Sequence, residues 1–219
     1  WSAPFAVTEE RLTSMPVNEG TGEAYGIEIL VEKRRIMKGD RFNGWISYAY
    51  AIANRTRDGL KTPFTFDQRH TLNIVLDYQI NGWLDAGVRW RYGSGYPYTP
   101  PIGVQPRVIP LDENETIWAI QREPLGGDVI FDLDYGDETN QNSERLPAYQ
   151  RLDIRFTAHS HYASGGLNFD WDFYIDIINV YNHQNVISYR YDVIENPNGG
   201  APMLLREAQS MFPILPTLG

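Results

Sequence analysis

Apolar and polar side chains alternate along most of this chain with a period of two, and helical periodicity is hard to find. Between positions 71 and 80 one face reads Leu72, Ile74, Leu76, Tyr78, Ile80, and the other reads Thr71, Asn73, Val75, Asp77, Gln79. The next segment sets Leu84, Ala86, Val88, Trp90, Tyr92 against Trp83, Asp85, Gly87, Arg89, Arg91. Asn81-Gly82 between them is a strong hairpin signal and predicts a type I′ turn with positive φ at both positions. Four further segments follow the same rule, so strands are predicted near 23–33, 44–53, 70–80, 83–93, 150–159 and 167–178. Across these six the apolar face holds no charge, while the opposite face carries twelve charged side chains.

Such one-sidedness calls for an apolar environment on one side of each strand and water on the other. A soluble β-sandwich, for instance a carbohydrate-binding module working through its aromatics, supplies both. So does a membrane barrel. The connections favour the barrel, because they alternate in length: 34–43 short, 54–68 long, 81–82 very short, 97–147 very long, 161–166 short, 184 onward long. Short periplasmic turns at one end and long extracellular loops at the other are what an antiparallel up-and-down transmembrane β-barrel shows. Strands of roughly 9 to 14 residues are also long enough to span when tilted. Tyr25, Tyr48, Tyr50, Tyr78, Trp90, Tyr92 and Trp171 add interface-loving rings to the apolar face.

Composition narrows the classes. The chain has 219 residues and a formal charge of −9, which argues against a sequence-independent nucleic-acid binder. Ten acids and one base fall between positions 112 and 144, and the remainder is balanced, so the charge belongs to the long predicted loop. There is no cysteine, hence no disulfide, thiolate metal site or cysteine nucleophile. No run of about 18 apolar residues is present, so no transmembrane helix is expected, and this leaves a barrel open. The chain opens at Trp1 without a basic, apolar leader, which is expected either of a processed protein or of a fragment.

Several motifs in order resemble the C-terminal barrel strands of TonB-dependent outer-membrane receptors, particularly those of the Bacteroidetes type. They are Ala24-Tyr25-Gly26-Ile27-Glu28, Gly44-Trp45-Ile46-Ser47-Tyr48, Phe66-Asp67-Gln68-Arg69-His70 and Tyr92-Gly93-Ser94-Gly95-Tyr96-Pro97-Tyr98-Thr99. Leu146-Pro147-Ala148-Tyr149-Gln150-Arg151-Leu152-Asp153 and Asn179-Val180-Tyr181-Asn182-His183-Gln184-Asn185 follow, and Pro213 to Gly219 resembles the stretch before the family's last strand. The resemblance implies an outer-membrane nutrient importer without enzymatic activity or cofactor. Its partners would be outer-membrane lipid, a nutrient such as a siderophore, vitamin or oligosaccharide, and TonB acting through an N-terminal plug. The plug and the closing strand have no counterpart in this sequence, so the chain is expected to be a barrel fragment. A non-transporting surface receptor or adhesin of the same architecture is an alternative.

No catalytic constellation is evident, since no serine has a matching base in view. His159 and His161 have metal-ligand spacing but fall at the predicted 161–166 turn, with no third ligand nearby. The residues expected to face the lumen and meet substrate are Arg89, Arg91, Arg151, Asp153 and Arg155. In the acidic loop, Asp132, Asp134, Asp137 and Glu138 offer hard oxygens around Gly136, as a calcium site would, although their spacing is not that of an EF-hand. Asn179, Asn182 and Asn185 are expected to satisfy backbone groups where a strand dissolves into a loop, and Asp67 to His70 to lead a long loop back into a strand.

Overall fold

The computed structural model describes residues 20–37, 39–112, 114–124 and 127–219. The fold is all-β. Seven strands form one antiparallel sheet in chain order: β1 (Gly20–Lys33), β2 (Phe42–Arg57), β3 (His70–Gln79), β4 (Leu84–Gly93), β5 (Tyr149–Ser164), β6 (Leu167–Ile178) and β7 (Leu215–Leu218). A short strand, Leu60–Pro63, folds back onto the far end of β2. Connections 34–41, 80–83 and 165–166 lie at one end of this meander, and 58–69, 94–148 and 179–214 at the other. The alternation of short and long connections is therefore a property of the two ends of the sheet. Among the described residues no helix is long and apolar enough to cross a membrane.

Register assembles the separate apolar rows into one surface. Tyr25, Ile27, Ile29 and Val31 stand opposite Ile52, Tyr50, Tyr48 and Ile46. Tyr48 and Ile46 stand opposite Leu72 and Ile74, which face Tyr92 and Trp90. Trp90 and Val88 meet Leu152 and Ile154, then Ile154 and Phe156 meet Ile177 and Ile175, and Ile175 meets Leu218. Opposed residues of antiparallel strands point to the same side, so the apolar face is continuous from β1 to β7. Nothing covers it: among the described residues no hydrophobic side chain is buried, with Ile27 68%, Trp171 51% and Leu218 69% exposed. The other sheets are two-stranded pairs within the connections, not the second layer of a sandwich. Apart from Gly44, Gly93, Pro97 and Pro101, the buried residues are polar: Thr62, Asp67, Asn142, Asn179 and Asn185.

Four expectations are corrected. Asn81-Gly82 does not form a type I′ turn, since neither residue has positive φ. Instead Gln79 pairs with Asp85, and Asn81 Oδ1 accepts from Trp83 N at 3.0 Å. A two-residue turn at 81–82 would pair Ile80 with Trp83 and oppose the apolar row of β3 to Asp85, Arg89 and Arg91. Keeping the apolar rows of neighbouring strands on one side outweighs the preference of two turn residues. Paired positive φ values occur instead at Asp58 (49°) and Gly59 (79°), at Gly165 (59°) and Gly166 (82°), and at Gly199 (77°) and Gly200 (98°). Second, β5 runs on to Ser164, so His159 and His161 lie on the strand and not in a turn. Third, 184 onward is not an open loop: Val186–Ile194 pairs with Met203–Ser210, and β7 adds a seventh strand against β6. Fourth, 97–147 is itself organised, with Pro97–Tyr98 paired to Glu144–Arg145, Gly103–Pro106 to Phe131–Asp134, and Val108–Pro110 to Trp118–Ile120.

Candidate functional site

The polar face carries Arg89, Arg91, Arg151, Asp153 and Arg155 together, because β4 and β5 pair directly. Arg89 stands opposite Asp153 and Arg91 opposite Arg151. Arg151 binds Asp153 through Nε at 3.0 Å and a terminal nitrogen at 2.8 Å, and the other Asp153 oxygen accepts from Asn179 N at 3.0 Å. Arg155 forms a two-pronged pair with Asp176 on β6, both contacts at 2.5 Å, and lies 4.4 Å over the Tyr174 ring. Gly87, directly opposite Arg155, leaves room beside it: a Cβ there would come to 3.0 Å from Asp77 Oδ1. Arg89 and Arg91 have no carboxylate within ion-pair distance among the described residues.

At the long-connection end three adjoining cavities lie among the connections, and the first reaches the polar face at Arg91 and Arg151. The innermost, about 420 Å³, is lined by Arg91, Arg151, Gln68, Ser94, Tyr149 and residues of the 179–214 segment. It shares Tyr96, Leu146 and Ile187 with a cavity of about 520 Å³ whose walls include Phe66, Tyr98, Tyr135, Tyr189 and Tyr191. That one shares Tyr135, Tyr189 and Tyr191 with an outer cavity of about 780 Å³. Together they make a cleft between the long loops, running inward to the arginines. Volumes of this size suit small-molecule ligands.

The tyrosines are set by the Val186–Ile194 hairpin strand, whose alternation puts Tyr189 and Tyr191 on one side. Tyr189 lies 5.4 Å from Tyr98 and 6.4 Å from Tyr191 between ring centroids, and Arg206 sits 4.6 Å over its ring. Tyr98 donates to Glu144 at 2.6 Å. Burial, then its hydrogen bonds with Glu144 and Tyr191, push the Tyr98 phenol well above its ordinary value, so it stays a donor.

Beneath the cleft the loops are tied to the sheet by buried polar groups. Asp67 accepts from Ala53 N and from Arg69 Nε, both at 2.7 Å, and pairs with Arg145, which also donates to the Asp67 and Gly95 carbonyls at 2.7 and 3.0 Å. Burial alone would raise its carboxyl; Arg69, the Ala53 N–H and Arg145 outweigh that and hold it below the ordinary range. Gly95 admits Leu146 against the backbone, where any Cβ would overlap the Leu146 carbonyl. Asn185 exchanges hydrogen bonds of 2.8 and 2.9 Å with the Gln150 backbone, and Asn179 accepts from His183 N and donates to His183 O, both at 3.0 Å. Asn182 accepts from Ile214 N at 3.0 Å. The strand-end roles expected of these residues are the roles they have.

The four loop carboxylates are not gathered around a common point. Asp132 is held by Arg107 at 2.5 to 3.0 Å, which keeps its carboxyl below the ordinary range. Asp134 accepts from Gly136 N at 2.8 Å, and Asp137 caps the 3-10 turn Glu138–Asn140 by accepting from Thr139 N at 2.9 Å. Asp137 and Glu138 line a further cavity of about 310 Å³ with Arg55 and Arg57, which shares Thr99 and Tyr135 with the middle cavity. His159 meets Asp172 through Nδ1 at 2.8 Å and Asp85 through Nε2 at 3.5 Å, and His161 meets Asp170 through Nδ1 at 2.6 Å. Among the described residues no three potential ligands converge on a metal position.

Sequence reasoning missed the tyrosines and Arg206, although Ile187, Tyr189, Tyr191 and Val193 alternating with Ser188, Arg190 and Asp192 is a strand signal. No family model matches the chain, and no curated protein or solved structure does.

Proposed function

We propose that this chain forms part of the wall and loops of an outer-membrane receptor of the TonB-dependent type, importing a scarce nutrient such as a siderophore, vitamin or oligosaccharide. The supporting observation is the single sheet whose register joins seven apolar rows into one uncovered face, opposite a charged face. Water around both sides would leave that apolar surface unburied at a cost of roughly 25 cal/mol for every Å². A bilayer on one side and an aqueous lumen on the other remove the penalty without a second layer. On this reading lipid meets the apolar face, the cleft between the long loops receives the nutrient, and TonB acts through a plug.

Single-tryptophan variants in vesicles of brominated phosphatidylcholine test the orientation. Trp90 and Trp171, on the apolar face, should be quenched strongly, and Trp45, on the opposite face, weakly; equal quenching of all three would refute the membrane wall. Import is tested separately by deleting the gene. Growth should fail under limitation for one nutrient class and depend on TonB, whereas unimpaired growth under iron, cobalamin and glycan limitation overturns the transport role.

A further inference from the structure

Resting on that reading and deepening it, we propose that the middle cavity between the long connections binds an uncharged pyranose ring, so that the nutrient received is a neutral oligosaccharide. The cavity of about 520 Å³ has twelve wall residues: five tyrosines, two threonines, Ser188 and the apolar Phe66, Pro97, Leu146 and Ile187. None of them carries a charge, although Tyr135 comes from the 112–144 segment with its ten acids. The chambers on either side differ, since Arg91 and Arg151 line the inner one, and Arg107, Asp132, Arg190 and Asp192 the outer one. Three separate connections meet in the uncharged wall: 58–69 at Phe66, 94–148 at Tyr98 and Tyr135, and 179–214 at Tyr189 and Tyr191.

A hydroxyl both donates and accepts, so a wall with eight hydroxyl-bearing residues and no charge complements a ligand whose own polar groups are hydroxyls. A charged ligand would leave water for a wall with no counter-charge, which is costly. Tyr96 donates to Gln68 at 3.3 Å and Tyr98 to Glu144 at 2.6 Å, whereas the hydroxyls of Thr65, Tyr135 and Ser188 make no hydrogen bond among the described residues. The rings supply the second half of the match. Tyr98 and Tyr189 lie 5.4 Å apart at 50°, and Tyr189 and Tyr191 6.4 Å apart at 60°, so the three are tilted facets of one wall and not a closed stack. Arg206, which is not a wall residue, stands 4.6 Å over the Tyr189 ring and holds it in place. A pyranose has an apolar C–H face and a polar rim, and a tyrosine presents an apolar ring with a hydroxyl at its edge to meet both. A flat aromatic ligand would use the rings and leave the hydroxyls unmatched.

The test is calorimetric titration of the full-length protein, in micelles of a detergent without a sugar headgroup, with maltotriose, cellotriose, mannotriose, trigalacturonate and indole. At least one neutral trisaccharide should bind at least about tenfold tighter than both trigalacturonate and indole. Tyr191→Ala should weaken that sugar about tenfold, and Tyr191→Phe, which keeps the ring and its packing, should retain most of the affinity. Four results overturn the proposal: equal affinity for neutral and anionic trisaccharides, indole binding as tightly as the best sugar, no binding by any of the five, or unchanged affinity in Tyr191→Ala. Bromolipid quenching on the same preparation separates the two failures. Insertion without preference for a neutral sugar overturns only the ligand class, and absence of insertion overturns the membrane reading on which it rests.

Discussion

At the scale of single residues, polar side chains occupy the positions that apolar ones hold in a globular core. Asp67 shows why: with 1% of its surface exposed, it gathers a backbone amide and two arginines that join the 58–69 connection to the Glu144–Arg145 strand. Asp67→Ala should destabilise this junction by about 2–3 kcal/mol, less than the 3–5 kcal/mol of a fully buried pair, because both arginines keep part of their surface in water. Urea unfolding in micelles, or faster proteolysis within 94–148, reads the loss. The pH dependence follows from the depressed carboxyl. Well above its ordinary value of 3.8 the group is ionised folded and unfolded, and the contribution is complete. As pH falls below 3.8 the unfolded chain takes up the proton first, and the contribution disappears as pH falls through the lower folded value. Asp67→Asn should flatten that acid limb and leave stability between pH 5 and 8 without slope from this site. The sequence exposed Asp67 only as a member of a motif before a strand; Arg145, its partner 78 positions away, could not be paired with it before folding.

At the scale of elements, the β3–β4 connection shows two local signals in conflict. Asn81-Gly82 asks for a two-residue turn, whereas the even-numbered apolar rows of both strands ask for a register in which 79 meets 85. The rows prevail, because a one-residue slip moves a whole strand's apolar set to the wrong side. Deleting Gly82 leaves Asn81 and Trp83 as a two-residue turn between Ile80 and Leu84 and keeps Leu72, Ile74 and Leu76 opposite Tyr92, Trp90 and Val88, so folding yield in micelles should be retained. Collapse of the yield would show that the Asn-Gly turn residues, and not the rows, govern register here. The Gly165–Gly166 turn is the counter-example, since there a two-residue turn and the apolar rows of β5 and β6 agree.

At the scale of the whole molecule, the two faces of the sheet differ in what they tolerate. Ile74 and Asn73 are neighbours in β3, paired with Trp90 and Arg91 respectively. In a bilayer Ile74→Arg should cost about 2–4 kcal/mol, the penalty for a cation near the midplane of a barrel's lipid face, while Asn73→Gln on the opposite face should change little. Reversible unfolding in lipid vesicles measures both, and comparable small effects at the two sites would deny the faces different solvents. The net charge of −9 also has a place at this scale. Its excess lies in the organised 94–148 connection, partly neutralised by Arg107 on Asp132 and by backbone capping at Asp134 and Asp137, beside a cleft whose inner end is basic.

The amino-acid sequence alone determined the strands, their two-faced character, the alternation of short and long connections and the charged set from Arg89 to Arg155, because each is local or strictly periodic. Tertiary structure decided what depends on distant segments meeting. It set the register that overrides Asn81-Gly82, the seventh strand at Leu215–Leu218, the separation of the four loop carboxylates and the meeting of Tyr98 with Tyr189 and Tyr191. A period of two states which side a residue faces; only the closure of long connections states which other residue it faces there.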